Sequence, residues 1–121
     1  MLTEKAESLE TRKCRPCEGG VEKLSEEEAV GLLRSLTGWR ISQDGRRLEK
    51  EWLVTTFRAA IDFINRVADV AEIEGHHPEI HVTGFRHVWI ELWTHAVGGL
   101  TENDFILAAK IDLLPVELKI Q

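Results

Sequence analysis

The sequence has few of the features that mark nucleic-acid-binding, membrane and secreted proteins. Its 121 residues carry 15 Lys and Arg against 21 Asp and Glu, which disfavours a nucleic-acid surface because phosphate binding depends on clustered basic side chains. No apolar stretch approaches the roughly 20 residues that cross a bilayer. The first residues also lack the apolar run of a secretory signal. We therefore expect a cytoplasmic protein with no nucleic-acid and no membrane partner.

Cysteine is scarce as well. Cys14 and Cys17 form a single CxxC, which supplies only two ligands of a tetrahedral zinc site, and no second CxxC or nearby histidine completes the set. A redox CxxC is expected at the start of a helix that follows a strand, which this segment does not offer. We expect 1–23 to be a polar leader without a catalytic role, with a redox-labile pair and a shared metal as the alternatives. Residues 24–121 then form one domain around a single core.

Three segments carry the signals of amphipathic helices. The first opens with a capping box, and in the second the apolar positions repeat at intervals of three and four. Gly75 is expected to stop the second helix with a positive φ. The predicted helices run from caps at Ser25, at Thr55 or Thr56, and at Thr101 to about Leu36, Ala71 and Leu114.

Two pairs of segments alternate as β-hairpins do, around turns at Gln43-Asp44-Gly45 and at Gly84. The order α-β-β-α-β-β-α predicts an α+β fold, a four-stranded antiparallel sheet with three helices packed on one face. In the last strand the even-numbered aliphatic residues should face the helices, which leaves Trp89 and Trp93 exposed on the other side as a surface for association. The predicted strands are Trp39–Ser42, Leu48–Val54, Ile80–Thr83 and Arg86–His95.

The most informative feature is the run His76-His77-Pro78 just past the second helix. Two adjacent imidazoles are costly to bury and can charge near neutral pH, so packing alone rarely places them where a helix ends. Glu72, His95 and Asp104 lie within the same stretch. Imidazoles that give or take protons beside carboxylates suit acid–base catalysis, and a metal site is the competing interpretation.

Spacing gives two of the acids a specific expectation. If the last helical turn persists, Glu72 lies four residues before His76 on one helix face, and its carboxylate can reach that imidazole. Asp104 is the third residue after the cap Thr101, where an acid bonds the cap amide and faces the helix dipole. A structural role for Asp104 is therefore as well supported as a chemical one.

The gaps between these residues also resemble a family pattern. Glu72 is followed after three residues by His76-His77-Pro78, after six more by Phe85, after nine by His95 and after eight by Asp104. This resembles the signature of the pterin-4a-carbinolamine dehydratases, also called 4a-hydroxytetrahydrobiopterin dehydratases. The resemblance extends from about Leu24 to the C-terminus.

The resemblance implies an activity and its residues. The activity is dehydration of a 4a-hydroxytetrahydropterin to the quinonoid dihydropterin by histidine acid–base catalysis, with no metal and no cofactor, which recycles the cofactor of aromatic amino acid hydroxylases. His76 and His95 are implied as acids, and His77 as a binding residue that could act as base. Substrate binding is implied for Glu72, Pro78, Thr94 and Asp104.

The resemblance further implies a homodimer or homotetramer joined through sheet edges, with a pterin as substrate and an aromatic amino acid hydroxylase as a candidate partner. Two alternatives stay open at this point. One is a non-catalytic domain that binds a pterin or a partner protein, and the other is a metal hydrolase built on histidine and glutamate.

Overall fold

The structure, a computed structural model, describes residues 8–16 and 21–120. These residues form three α-helices and one four-stranded antiparallel sheet, so the predicted α+β fold and its element order are confirmed. In this described part of the chain, no helix is both long enough and apolar enough to span a bilayer. The elements are α1 (Glu26–Leu33), β1 (Arg40–Ile41), β2 (Leu48–Leu53), α2 (Phe57–Glu74), β3 (Glu79–Thr83), β4 (His87–Leu92) and α3 (Glu102–Asp112).

The sheet order is β1-β2-β4-β3, which places β4 in the interior and β1 and β3 at the edges. Within the hairpins, β1 pairs with β2 and β3 pairs with β4. The two hairpins join through antiparallel pairing of β2 and β4, with Lys50 opposite Ile90. The register puts Glu79 of β3 opposite Glu91 of β4, which in turn lies opposite Glu49 of β2. A row of three glutamates thus crosses the face of the sheet that points away from the helices.

The core lies between the other sheet face and the helices. Val88, Ile90 and Leu92 are fully buried, as their alternation predicted. Trp52 from β2 packs against Phe63 of α2, with ring centroids 5.0 Å apart. The helices contribute small residues as well as large ones, which lets them approach the sheet closely. Other core members include Ala29, Ala60, Val67, Phe105, Ile106 and Ile111.

The predicted ends of several elements shift by a few residues. α1 and α3 end before Leu36 and Leu114 because the chain there makes i→i−3 hydrogen bonds of a tighter turn, such as Leu36 N to Leu33 O. α2 extends beyond Ala71 to Glu74, and Gly75 caps it with φ 68°, as expected. The first strand keeps only two residues of the predicted Trp39–Ser42.

The end of β4 matters most for the site. The strand stops at Leu92, so Thr94 and His95 do not continue it as predicted. Thr94 instead pairs with Gly99 in an isolated bridge, and His95 begins a single 3₁₀ turn, His95–Val97. This tight loop returns the chain directly to Thr101, the cap of α3. The end of β4 and the beginning of α3 are thereby held side by side.

Part of the predicted leader packs on the domain. Leu9 is buried in the core cluster, and Asn103 of α3 hydrogen-bonds both the N–H and the carbonyl of Arg15. The backbone N–H of Cys14 donates to Glu74. Burial, followed by the charge of Glu74, raises the pKa of the Cys14 thiol to about 12, which disfavours the reactive thiolate. Cys17, the other half of the CxxC, lies outside the described residues.

Candidate active site

The carboxylate of Asp104 is the centre of a buried hydrogen-bonded cluster. One oxygen, Oδ2, accepts from the backbone N–H of Thr101 and from the hydroxyl of Thr94, each at 2.9 Å. The other, Oδ1, lies 2.6 Å from Nε2 of His76. Asp104 is fully buried and Thr94 and His76 are nearly so. The capping role expected for Asp104 is present, and the same side chain also holds a histidine.

His76 reaches this cluster because of the backbone turn before it. Gly75 adopts the left-handed conformation, which only glycine enters at low cost, and the chain leaves the axis of α2 there. His76 is consequently directed toward the N-terminus of α3. When ionised, the Asp104 carboxylate can only accept hydrogen bonds. Nε2 of His76 is then the donor in this pair, and Nδ1 is left for other partners.

The expected contact between Glu72 and His76 is wrong. Glu72 instead pairs with His77, whose Nε2 lies 2.7 Å from its Oε2, and both side chains are largely exposed. A contact at i,i+4 requires the helix to continue through His76, whereas α2 ends at Glu74. The turn at Gly75 moves His76 away from the helix face and brings His77 back over it.

His95 lies at the exposed end of a second set of contacts. Its ring packs against Trp93, with centroids 4.0 Å apart, and its Nε2 is 3.7 Å from Oε2 of Glu79. Glu79 also accepts from Nε1 of Trp93 at 2.9 Å and pairs with Arg47 at 3.1 Å. Neither Glu79 nor Arg47 was among the residues that the sequence pattern predicted for the site. The position of Glu79 directly after Pro78 was the available signal.

Two further residues of the spacing pattern lie in different places. Pro78 is half-buried and links His77 to β3. Phe85 is 57% exposed at the turn between β3 and β4, with an unusual positive φ of 56°. This turn is at the opposite end of β4 from His95. The structure therefore brings together His76, Thr94 and Asp104, places His77, Pro78 and His95 next to them in the chain, and leaves Phe85 apart.

The expectation that Trp89 and Trp93 are exposed is also wrong, since both are of intermediate burial. The His81 ring stacks on Trp89 at 3.7 Å between centroids, with the planes only 10° apart. The Arg47 guanidinium lies 4.7 Å from the centre of the Trp93 ring. Side chains from neighbouring strands and turns thus cover the two indoles.

Within residues 8–16 and 21–120, no three His, Cys, Asp or Glu side chains converge as the ligands of a metal ion would. The site histidines instead face one carboxylate each. His76 faces Asp104, His77 faces Glu72 and His95 faces Glu79. Such pairs are suited to orienting an imidazole and stabilising its protonated form.

Comparison with known proteins identifies the family of this chain. A sequence model of the family "Pterin 4 alpha carbinolamine dehydratase" matches residues 22–114. The chain is 50% identical over 112 residues to pterin-4-alpha-carbinolamine dehydratase 2, mitochondrial, of Arabidopsis thaliana, covering 90% of this chain and 60% of that protein. A Dechloromonas aromatica protein whose name also contains pterin-4-alpha-carbinolamine dehydratase is 44% identical over 107 residues, covering 88% of this chain and 93% of that protein.

Two solved structures are similar as well. A transcriptional coactivator/pterin dehydratase from Brucella melitensis superposes with a TM-score of 0.72 at 30% identity, covering 76% of this chain and 97% of that one. A pterin dehydratase-like protein that is a RuBisCO assembly factor of the α-carboxysome gives 0.52 at 26% identity, over 63% of this chain and 87% of that one. The chain belongs to the pterin 4 alpha carbinolamine dehydratase family, a family of hydro-lyases. The family resemblance and the enzyme class expected from the sequence are confirmed.

The double role of Asp104 can be separated by substitution. Asp104→Ala leaves several buried donors without an acceptor, and we expect it to lower the free energy of unfolding by about 3 kcal/mol. Asp104→Asn can retain the acceptor toward Thr94 and Thr101 while its amide donates to His76. This variant should keep most of the stability but move the His76 proton from Nε2 to Nδ1.

Urea unfolding measures the stability of both variants, and ¹⁵N NMR of the imidazole reports the tautomer of His76. Asp62→Ala is the matched control because Asp62 is exposed on α2, and it should change stability by no more than about 0.5 kcal/mol. An Asp104→Ala variant as stable as the Asp62→Ala control would contradict the role assigned to this cluster.

Proposed function

We propose that this protein dehydrates a 4a-hydroxytetrahydropterin to the quinonoid dihydropterin by histidine acid–base catalysis. In the reaction the C4a–O bond breaks, the departing hydroxyl takes a proton and leaves as water, and a ring nitrogen loses a proton as the new double bond forms. The chemistry needs one group that donates a proton and one that accepts a proton, and imidazole does both near neutral pH. Family membership and the names of the relatives support this activity.

The observation that carries the proposal is the buried cluster of His76, Asp104 and Thr94. Asp104 occupies Nε2 of His76 at 2.6 Å, which fixes the ring and leaves Nδ1 to exchange a proton with substrate. Thr94 is hydrogen-bonded to the same carboxylate and directly precedes His95, so the cluster links the two proposed acids. His77 and His95 are each about two-thirds exposed and open to a ligand.

These positions support a division of roles among the three histidines. We assign proton donation to His76 and His95, which belong to different loops and can approach a flat ring from two directions. His77, paired with Glu72, binds the substrate and acts as base. Pro78, Thr94 and Asp104 shape or support the binding surface, and the recycled pterin serves an aromatic amino acid hydroxylase.

A test requires substrate generated enzymatically, because the carbinolamine loses water spontaneously. We expect purified protein to accelerate this loss well above the spontaneous rate. If each acid serves one stereoisomer, His76→Ala and His95→Ala should lose activity toward opposite isomers, by on the order of a hundredfold or more. His77→Ala should weaken substrate binding as well as turnover.

His87→Ala is the matched control, since His87 begins β4 at the end remote from His95 and contacts Glu51. Its rates should equal those of the unsubstituted protein. Normal rates of His95→Ala on both isomers would remove His95 from the mechanism. Pterin binding without any acceleration would favour the non-catalytic alternative.

The mechanism is further proposed to use no metal and no cofactor. The separate carboxylate partners of the three histidines support this, because each imidazole faces its own acid and, among the described residues, no three such side chains converge. Elemental analysis of active protein should find no stoichiometric zinc, and a chelator should leave the rate unchanged. Activity that is lost on chelation and restored by zinc would favour the metal hydrolase instead.

Self-association is proposed from the sheet edges rather than from the tryptophans. β3 is an edge strand of five residues with one side unpaired in the described chain, and such an edge can pair with a second copy. Light scattering at micromolar concentration should give the mass of a homodimer or homotetramer, and a monomeric mass would contradict it. A cytoplasmic location stays a prediction, while the name of the Arabidopsis relative places that protein in the mitochondrion.

A further inference from the structure

Glu79 is half-exposed, yet its carboxylate makes defined contacts with three neighbouring side chains. Its two carboxylate oxygens are used separately. Oε1 accepts from Nη1 of Arg47 at 3.1 Å, and Oε2 accepts from Nε1 of Trp93 at 2.9 Å. The same Oε2 faces Nε2 of His95 at 3.7 Å. The carboxylate is thus held from two sides and directed toward the imidazole on a third.

Trp93 connects the carboxylate and the imidazole physically. Its indole N–H binds Glu79 while its ring packs against His95 at 4.0 Å. Arg47 lies over the Trp93 ring and also pairs with the nearly buried Glu91. Because each group contacts at least two others, the position of Glu79 is fixed by its neighbours.

Electrostatics within the group favour an ionised carboxylate. The hydrogen bond from Trp93, then the charges of Arg47 and His95, hold the pKa of Glu79 below its usual range even though burial opposes this. An ionised carboxylate within about 4 Å of an imidazole favours the protonated ring. A distance of 3.7 Å is longer than a hydrogen bond, so the coupling is mainly electrostatic and leaves His95 able to turn toward a ligand.

We propose that Glu79 is the positioning residue for His95, and that Trp93 and Arg47 fix its carboxylate so that the imidazole stays oriented for proton donation. The proposal rests on the dehydratase function above, because it assigns a partner to one of its acids. The charged groups that the structure places around His95 are Glu79 on β3, then Arg47 before β2, which pairs with Glu79, and then Glu91 on β4, which pairs with Arg47.

The coupling can be measured without any enzyme assay. The indole N–H of Trp93 donates to Glu79, so its NMR signal should shift as Glu79 takes up a proton in acid. Glu79→Gln should abolish this titration. In His95→Gln the nearby positive charge is lost, and the pKa of Glu79 read from the Trp93 signal should rise.

The pair Glu51 and His87 supplies a matched control on the same sheet face, with Nε2 of His87 3.2 Å from Oε1 of Glu51. His87→Gln should leave the Trp93 titration unchanged. The proposal is overturned if His95→Gln also leaves it unchanged, because Glu79 and His95 would then be uncoupled.

Turnover gives the second measurement. Glu79→Gln should lower kcat about tenfold for the stereoisomer that depends on His95, less than removal of the acid itself, with KM unchanged. The other isomer should be unaffected, and Glu79→Asp should restore part of the rate.

Glu51→Gln should leave both isomers at the original rate. Equal losses on both isomers after Glu79→Gln, or a change in KM alone, would show a general structural role and contradict the positioning role. A protein that accelerates neither isomer would refute the dehydratase function, while the Trp93 titration would still decide whether Glu79 holds His95. Dispersed NMR spectra of each variant confirm folding.

Discussion

The site depends on the burial of one carboxylate. Burying an ionisable group is costly unless its hydrogen-bonding capacity is met, and Asp104 meets it with donors from three parts of the chain. Thr101 begins α3, Thr94 follows β4, and His76 follows α2. Because Asp104 accepts hydrogen bonds from all three, one side chain both caps the start of α3 and positions His76. Complete loss of the Asp104 side chain would therefore disturb both the start of α3 and the position of His76.

Local signals in the sequence predicted what local interactions determine. The capping boxes of α1 and α3, the glycine stop at Gly75 and the alternation in β4 all depend on residues close in the chain, and the structure confirms them. The partner of His76 depends instead on Asp104, 28 residues away. Helical spacing pointed to Glu72, four residues before His76. The left-handed conformation of Gly75 pairs His77 with Glu72 and leaves His76 to pair with Asp104. Helical periodicity cannot predict such a change of direction.

The sheet face away from the helices shows a second limit of the same kind. Alternation correctly gave the side of the sheet on which Trp89 and Trp93 lie, yet it did not give the strand register. The register places His81 opposite Trp89 and Glu79 opposite Glu91, and these neighbours cover the indoles and hold Arg47. Long polar side chains from adjacent strands can bury an aromatic ring that faces away from the core. The exposure of a side chain on this sheet face therefore depends on its neighbours in the paired strands as well as on the face to which it points.

The three histidines differ chiefly in the solvent exposure of their partner carboxylates. Asp104 is fully buried beside His76, whereas Glu72 and His77 are largely exposed, and Glu79 lies between these extremes beside His95. Coulombic attraction is strong in a dry environment and weak in water, so proximity to an acid has unequal effects at the three positions. His76 is fixed by its buried pair, and His77 is free to adapt to a ligand. A buried position holds the Asp104 carboxylate in place beside His76. The Glu79 carboxylate beside His95 is partly solvated, so its position depends on contacts with Trp93 and Arg47.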